Sequence, residues 1–360
     1  MKIIDIQTVF PEDSYTNDDL LQALKGCIPD TLLLDESFFQ GLGIEKRSMA
    51  IDPFNPQSWW DTKAGTHPFA FEGAKAYCKL MADKEPLTEN DKIIVISNTP
   101  DMLGPHMGYA LECHIKTMDP KHSPPRMTTL IGEGCSGYIS GLREADDFLK
   151  AYPERRVVVI TVEMSTPLTW NPKLYDQVRK TGSPGMRKGL IIQRLLFGDG
   201  CTASLLSAEG DQGLTICKFG RWSNLSPHDI HLLEGIGHGS QGGQSYPPQG
   251  FFKQKPQELF LRLSQAYLPL AHEQMKSLAR RPSAFAVHTG SGKILDAVKW
   301  CLGLKEEDLH HSRQVLSTHA NMNSSTGAVI LQKHLREGVA ENIFSLFFGV
   351  GFCLQTAFSE

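Results

Sequence analysis

One cysteine in this chain, Cys135, lies where a nucleophile could work. Met127-Thr128-Thr129-Leu130-Ile131 has the β-branched residues of a strand, and Gly132-Glu133-Gly134 turns the chain at Cys135. Tyr138, Ile139, Leu142, Ala145, Phe148 and Leu149 then recur at the three- and four-residue spacing of a helix. A cysteine between a strand and a helix start sits among backbone N–H groups that lack intrahelical partners. Those groups and the helix dipole favour thiolate over thiol. The competing reading is a small buried hydrophobe, the commonest fate of a free cysteine.

The elements around it read as α/β. Ile3 to Phe10 is a strand stopped by Pro11, and Thr16-Asn17-Asp18-Asp19 is an N-cap with acids that opens a helix through Leu20, Leu21 and Leu24. Gly41-Leu42-Gly43-Ile44-Glu45-Lys46-Arg47 is a glycine turn leading to basic residues. Asp52 to Pro68, with its prolines, asparagines and two tryptophans, reads as loop, and Phe69 to Met81 as helix. Lys92-Ile93-Ile94-Val95-Ile96-Ser97 and Arg156 to Glu163 are continuous apolar strands, as in a sheet covered on both faces. A helix from Pro105 to about Lys116 lies between the first of these and the cysteine turn. Strands alternating with helices give the class.

Composition narrows the function. The chain has 360 residues, 41% hydrophobic and 21% charged, enough for one large core or two domains of similar size. A net charge of −4 and the lack of Lys/Arg runs argue against nucleic acid and against a polybasic membrane patch. No apolar run approaches the roughly 20 residues of a membrane helix, and the first residues do not form a secretory signal. The eight cysteines (27, 78, 113, 135, 201, 217, 301, 353) include no C-x-x-C pair, which argues against zinc and disulfides and for a reducing cytoplasm. The thirteen histidines show no H-E-x-x-H spacing, and His310-His311 reads as a solvated helix end.

The second half repeats the first. Ile93 to Asn98 has a counterpart in Ala284 to His288, and the strand, turn and helix around Cys135 in Val315 to Met322 and the apolar run after it. Leu196-Phe197-Gly198-Asp199-Gly200 is matched by Phe347-Phe348-Gly349-Val350-Gly351. The first half carries about 35 more residues between its cysteine helix and its Gly-x-Gly hairpin, placed near Ser165 to Gln193 and rich in Pro, Gly, Lys and Arg. The chain therefore divides into halves 1–210 and 211–360, joined near Gly210-Asp211, the first with an insertion at 165–193. Packing similar halves together brings Cys135 from one to meet His288 and Asn321 from the other.

Five segments in order carry a family resemblance. Glu133-Gly134-Cys135-Ser136-Gly137, Phe197-Gly198-Asp199-Gly200, Val287-His288-Thr289-Gly290-Ser291-Gly292, His319-Ala320-Asn321-Met322-Asn323-Ser324-Ser325 and Phe348-Gly349-Val350-Gly351 resemble the thiolase-fold condensing enzymes. The nearest branches are β-ketoacyl-acyl-carrier-protein synthase III and the chalcone-synthase-like type III polyketide synthases. The resemblance implies a thiolase-like fold, two α/β halves layered αβαβα. It implies that Cys135 takes an acyl group from a thioester, and that His288 and Asn321 donate hydrogen bonds as an enolate forms on a second thioester. It gives the oxyanion hole to backbone N–H groups of Cys135 and the Gly349-Val350-Gly351 loop. It implies acyl-coenzyme A or an acyl carrier protein as partner, a homodimer, and no cofactor beyond the thioester carrier. Arg47 resembles the basic residue that meets the carrier phosphates; an exposed arginine without a role is the alternative.

Several residues depart from the pattern. The glycine expected before the asparagine is Ala320, and Asn323 stands where serine is usual, so Asn323 is the fallback for Asn321. His288-Thr289-Gly290-Ser291 replaces the polyketide-synthase His-Pro-Gly-Gly. Glu133 offers either a base within the site or a paired acid at a turn, and Cys353 either a second reactive thiol or a core residue. Thr289-Gly290-Ser291-Gly292-Lys293 imitates a phosphate loop but lacks its first glycine and its Ser/Thr, and Gly235 to Gln244 lacks dinucleotide spacing and reads as a loop. The leading expectation is carbon–carbon bond formation between two thioesters. An acyltransferase acting on an oxygen or nitrogen acceptor is second, and a degenerate subunit pairing with an active homologue is third.

Overall fold

Ile93 and Val95 pack in one apolar cluster, while Ile94 and Ile96, their immediate neighbours, pack in another. Side chains alternate along a strand, so an unbroken apolar run requires cover on both faces. The structure, a computed structural model, describes residues 1–25, 36–63, 66–101, 105–120, 125–210, 213–236 and 251–360. Its first elements are β1 (Lys2–Val9), β2 (Ser14–Thr16), α1 (Asn17–Leu24), α2 (Glu36–Leu42), β3 (Lys46–Ser48), α3 (Pro56–Lys63) and α4 (Pro68–Met81). There follow β4 (Lys92–Ser97), α5 (Met107–Met118), β5 (Arg126–Ile131), α6 (Gly137–Ala151), β6 (Arg156–Met164), α7 (Ser165–Thr169), α8 (Pro172–Thr181), α9 (Pro184–Leu196) and β7 (Asp199–Ser207). The rest comprises β8 (Leu214–Ser223), β9 (Leu233–Ile236), β10 (Phe251–Gln254), α10 (Pro256–Arg262), α11 (Leu268–Lys276) and β11 (Ala284–Val287). Last come α12 (Gly292–Leu302), α13 (His310–His319), α14 (Ser325–Arg336), β12 (Ile343–Gly349) and β13 (Cys353–Ser359).

Nine strands share one sheet in the order β11-β12-β13-β8-β1-β7-β6-β4-β5. Outward from the β1–β8 join, β1–β7 and β7–β6 are antiparallel, while β6–β4 and β4–β5 are parallel. The other side repeats this: β8–β13 and β13–β12 are antiparallel and β12–β11 is parallel. Three clusters give the layers. Helices α4 and α5 cover the outer face of β4, β6 and β7. Helices α6 and α14 lie between the two sides of the sheet, touching Ile94, Ile96, Val157 and Val159 on one and Ala286, Phe347 and Ala357 on the other. Helices α11 and α12 cover the far face through Phe285, Val287, Phe344 and Leu346. The result is αβαβα, and each fully buried Val, Ile or Phe contributes about 1.5–3 kcal/mol to holding it together.

Three expectations need correction. The stretch read as loop between Asp52 and Pro68 contains α3. The segment from Val315, matched to the strand before Cys135, is helical through His319: Ser312, Val315 and Leu316 share a buried face at helical spacing. No strand takes the place of β5 on that side among the described residues. His311 does not sit in solvent; it packs edge-on against His334 and its Nε2 lies 3.0 Å from Glu337. The insertion, whose composition suits an added surface element or lid, folds as α7, α8 and most of α9 and sends Trp170 and Ile191 into the core. Of the join at Gly210-Asp211, Asp211 lies outside the described residues.

Helix α13 ends abruptly at Ala320, whose φ of 61° and ψ of −155° belong to a region that only glycine enters without strain. That kink turns the chain from α13 toward α14 and presents Asn321. Replacing Ala320 by glycine relieves the strain but adds freedom to the unfolded chain. Ala320→Gly is expected to stabilise the fold by about 1 kcal/mol, read from urea or thermal unfolding; a lower midpoint would contradict the strain.

Candidate active site

The cysteine turn is built by two close backbone approaches. Gly134 has φ +61°, and a Cβ there would lie 2.3 Å from the backbone nitrogen of Val350. A Cβ on Gly349 would lie 2.4 Å from the carbonyl oxygen of Glu133. Asn98, just past β4, brackets the same peptide: its Oδ1 accepts from Gly134 N–H at 2.6 Å and its Nδ2 donates to Gly134 O at 3.0 Å. Cys135 is thereby held in a short 3-10 turn, Gly134–Ser136, ahead of α6.

The asparagine turn meets it from the other half. Asn321 N–H donates to Leu196 O and Asn321 O accepts from Gly198 N–H, both at 3.1 Å, which docks the turn just past the insertion. The Cys135 thiol donates to Asn323 Oδ1 at 3.4 Å and to Asn321 Oδ1 at 3.7 Å. The two asparagines are not equivalent. Asn323 Nδ2 is spent on Ser165 Oγ at 2.8 Å. Asn321 Oδ1 accepts from Asn323 N–H at 2.9 Å, which fixes the amide and leaves its Nδ2 without a partner among the described residues. Asn321 is thus the amide with a donor to offer.

His288 follows β11, with its N–H donating to Leu346 O at 2.9 Å and its ring packed edge-on against Phe348, centroids 4.6 Å apart. Its Nδ1 has no partner among the described residues. Burial lowers its pKa to about 3, so the imidazole is neutral and keeps one donor and one acceptor. Burial pushes the Cys135 thiol well above its ordinary value, and the charge of Glu163 adds to this. The thiolate that a helix start favours is therefore overruled at rest: desolvation outweighs the dipole.

Two buried carboxyl groups brace the turns. Glu163, at the end of β6, accepts from Asn98 N–H at 3.1 Å and Asn98 Nδ2 at 2.6 Å, and from the hydroxyl of Ser324. Asp199 accepts from Ala50 N–H and Thr166 N–H, each at 2.8 Å. Burial raises Glu163 to about 7 and Asp199 to about 6. Sequence reasoning quoted Asp199, Glu163 and Asn98 within its segments but gave none of them a role. The signal was available: polar residues end the buried parallel strands, where open α/β sheets place their sites.

The other expected residues are placed differently. Arg47 is 0% exposed and gives Nη2 to Asn17 Oδ1, so it is no surface contact for a carrier phosphate. Burial lowers its pKa to about 10. Glu133 accepts from Ser140 on α6 at 2.8 Å, as a paired acid at the turn would. Gly351 N–H is occupied by Leu233 O at 3.0 Å, which removes it from the oxyanion hole; Gly349 does lie against the cysteine turn. Cys353 receives Arg221 Nε at 3.5 Å and makes no contact with Cys135 among the described hydrogen bonds. Of the loop from Gly235, residues 237 onward to 250 lie outside the described residues.

A cavity of about 1080 Å³ lies next to the site, although Cys135, His288 and Asn321 are not in its wall. Its apolar wall includes Phe38, Leu42, Met186, Ile192 and Phe260, and exposed Lys188 and Lys293 also line it. Gly290 and Leu196 line it too: a Cβ on Gly290 would lie 3.4 Å from His288 Nε2, and Leu196 carries the carbonyl bound by Asn321. No cluster of His, Cys, Asp and Glu able to hold a metal occurs among the described residues, nor any helix long and apolar enough to cross a membrane.

No family model matches the chain. It is 31% identical over 213 residues to a putative chalcone synthase of Bacillus subtilis, an alignment covering 58% of this chain and 53% of that protein. The chain thus matches about half the length of that relative. It is 24% identical to the β-ketoacyl-acyl-carrier-protein synthase III of Xanthomonas oryzae, over 99% of this chain and 97% of the relative. Its fold superposes on the 1,3,6,8-tetrahydroxynaphthalene synthase of Streptomyces coelicolor with a TM-score of 0.72 at 19% identity, covering 100% of this chain and 99% of that one. The fold is thiolase-like, and the chain resembles the thiolase-fold condensing enzymes.

The buried carboxyls make stability depend on pH. Their folded pKa values are raised, so the native state binds protons more tightly than the unfolded chain, and stability falls as pH rises toward 6 and 7. For Glu163 alone the loss is roughly 3 kcal/mol across that interval. Glu163→Gln should flatten the fall in melting temperature between pH 5 and pH 8; curves parallel to those of the unaltered protein would rule out a raised Glu163.

Proposed function

We propose that this chain is a ketosynthase-type condensing enzyme. It joins an acyl group held on Cys135 to a second thioester, a malonyl or β-ketoacyl group on coenzyme A or a carrier protein, in polyketide, fatty-acid or secondary-metabolite synthesis. The observation that carries this is Asn321, oriented by Asn323 N–H so that a free amide donor stands beside Cys135. A transfer to oxygen or nitrogen needs no such donor for an enolate.

The chemistry follows from the resting charges. The Cys135 sulfur attacks the first thioester and gives up its proton to the leaving group, with the Cys135 N–H aimed at the oxygen that becomes negative. Collapse expels the carrier thiolate, which takes that proton, and leaves an enzyme thioester. The carbonyl of the second thioester then accepts from Asn321 Nδ2 and the His288 ring N–H. Loss of carbon dioxide from a malonyl group leaves its electron pair as an enolate, whose carbon attacks the acyl thioester and restores the sulfur. A β-ketoacyl group would instead lose a proton to form its carbanion. No cofactor is needed beyond the carrier itself.

Residues 1–210 and 211–360 act in this reading as the two thiolase-like halves. The insertion supplies Met186, Lys188 and Ile192 to the cavity wall, so it tunes which acyl chains enter. The seven described cysteines are unpaired, in keeping with a reducing cytoplasm. The outer edge of β5 ends the sheet, with Ile131 exposed, and such an edge is a template for pairing with a second copy of the chain.

Three outcomes are expected. Incubation with a series of acyl-coenzyme A thioesters should give a mass adduct that Cys135→Ala abolishes. Asn321→Ala should keep the adduct but slow product formation with malonyl-coenzyme A about 100-fold. No adduct with any thioester would sink the enzyme reading, and acylation without a longer product would favour transfer to oxygen or nitrogen. Sedimentation should find a dimer that Ile131→Lys weakens at least tenfold, about 1.4 kcal/mol; a monomer at micromolar concentration would refute the pairing edge.

A further inference from the structure

We propose that Asn323 is a positioning residue that holds resting Cys135 as a thiol, through an amide pinned by Ser165. The inference rests on the reading of Cys135 as the acyl acceptor and concerns how that sulfur is kept unreactive until substrate arrives. Asn323 Oδ1 is the nearer of the two amide oxygens on the sulfur, at 3.4 Å against 3.7 Å for Asn321. Every polar group of Asn323 has a role: its N–H donates to Asn321 Oδ1 at 2.9 Å, its Nδ2 donates to Ser165 Oγ at 2.8 Å, and its Oδ1 takes the thiol. The side chain is 2% exposed, so no water competes freely for these contacts.

A carbonyl oxygen at this distance attracts S–H and repels S⁻. The opposite amide orientation would set Nδ2 on the sulfur and favour the thiolate, and it requires the Ser165 hydroxyl to change from acceptor to donor. Ser165 opens α7, the first helix of the insertion, so the insertion reaches the nucleophile through one amide. The serine expected at position 323 would bring no carbonyl oxygen to the sulfur. The other groups bearing on the thiol are Glu163 at the end of β6, whose charge acts in the same direction, and Asn321, whose side-chain hydrogen bond acts against it; His288 after β11 is neutral and packed on Phe348.

The test is the rate at which iodoacetamide alkylates Cys135, followed by peptide mass mapping from pH 6 to pH 10. Asn323→Ser should raise the rate at pH 7.5 about threefold to tenfold, the weight of one neutral hydrogen bond. Asn323→Asp, which sets a carboxylate on the sulfur, should lower it and move the profile to higher pH. Ser165→Ala, which frees the amide to turn, should raise it, and this second position decides the matter if the Asn323 variants do not fold. Profiles that superimpose on the unaltered protein, or that shift the same way for Asn323→Ser and Asn323→Asp, would overturn the proposal. Alkylation needs no thioester, so unchanged profiles overturn the role of Asn323 and leave the condensing reading standing, whereas a protein that no thioester acylates sinks the reading on which this inference rests, whatever the profiles show.

Discussion

Everything at the site depends on two backbones touching. Gly134 beside Val350 and Gly349 beside Glu133 leave no room for a Cβ on either glycine. Close-packed interiors do not absorb such an intrusion without moving one loop. The contact ties the nucleophile turn of one half to the hairpin of the other. His288 is carried along with that hairpin, because its N–H is bonded to β12 and its ring rests on Phe348.

Polar bracing then sets directions that packing alone cannot. Asn98 reads the Gly134 peptide on both sides, Glu163 holds Asn98 and Ser324, and Asp199 holds the start of the insertion. Neither carboxyl has a cation among its hydrogen-bond partners. A buried carboxylate without a cation keeps its charge only through N–H and O–H donors. Two of those donors bear on the site directly: Ser324 follows Asn323 in the chain, and Asn98 also holds Gly134 ahead of Cys135.

The resting site is uncharged at its centre. A protonated thiol meets two amides, and the neutral imidazole is buried on Phe348 in the other half. Leu196, which closes α9 just past the insertion, holds Asn321, and the insertion itself enters this arrangement at its start, where Ser165 touches Asn323. Its middle lines the cavity.

Much of this was legible from residue order. Unbroken apolar runs at β4 and β6 demand cover on both faces, which dictates layers, and the glycine–cysteine turn before a periodic helix marks the nucleophile. The recurrence of strand and hairpin patterns fits the repeated pairing order on the two sides of the sheet, though α13 took the place assigned to a strand because its buried residues follow a helical period. What only the tertiary structure decided is protonation and partnership. Arg47 looked exposed and is buried, Cys135 looked like a thiolate and is a thiol, and Asn321 was separated from Asn323 by a serine 158 residues away. Local pattern is set by neighbours along the chain. Desolvation and hydrogen-bond partners come from residues that only folding brings together.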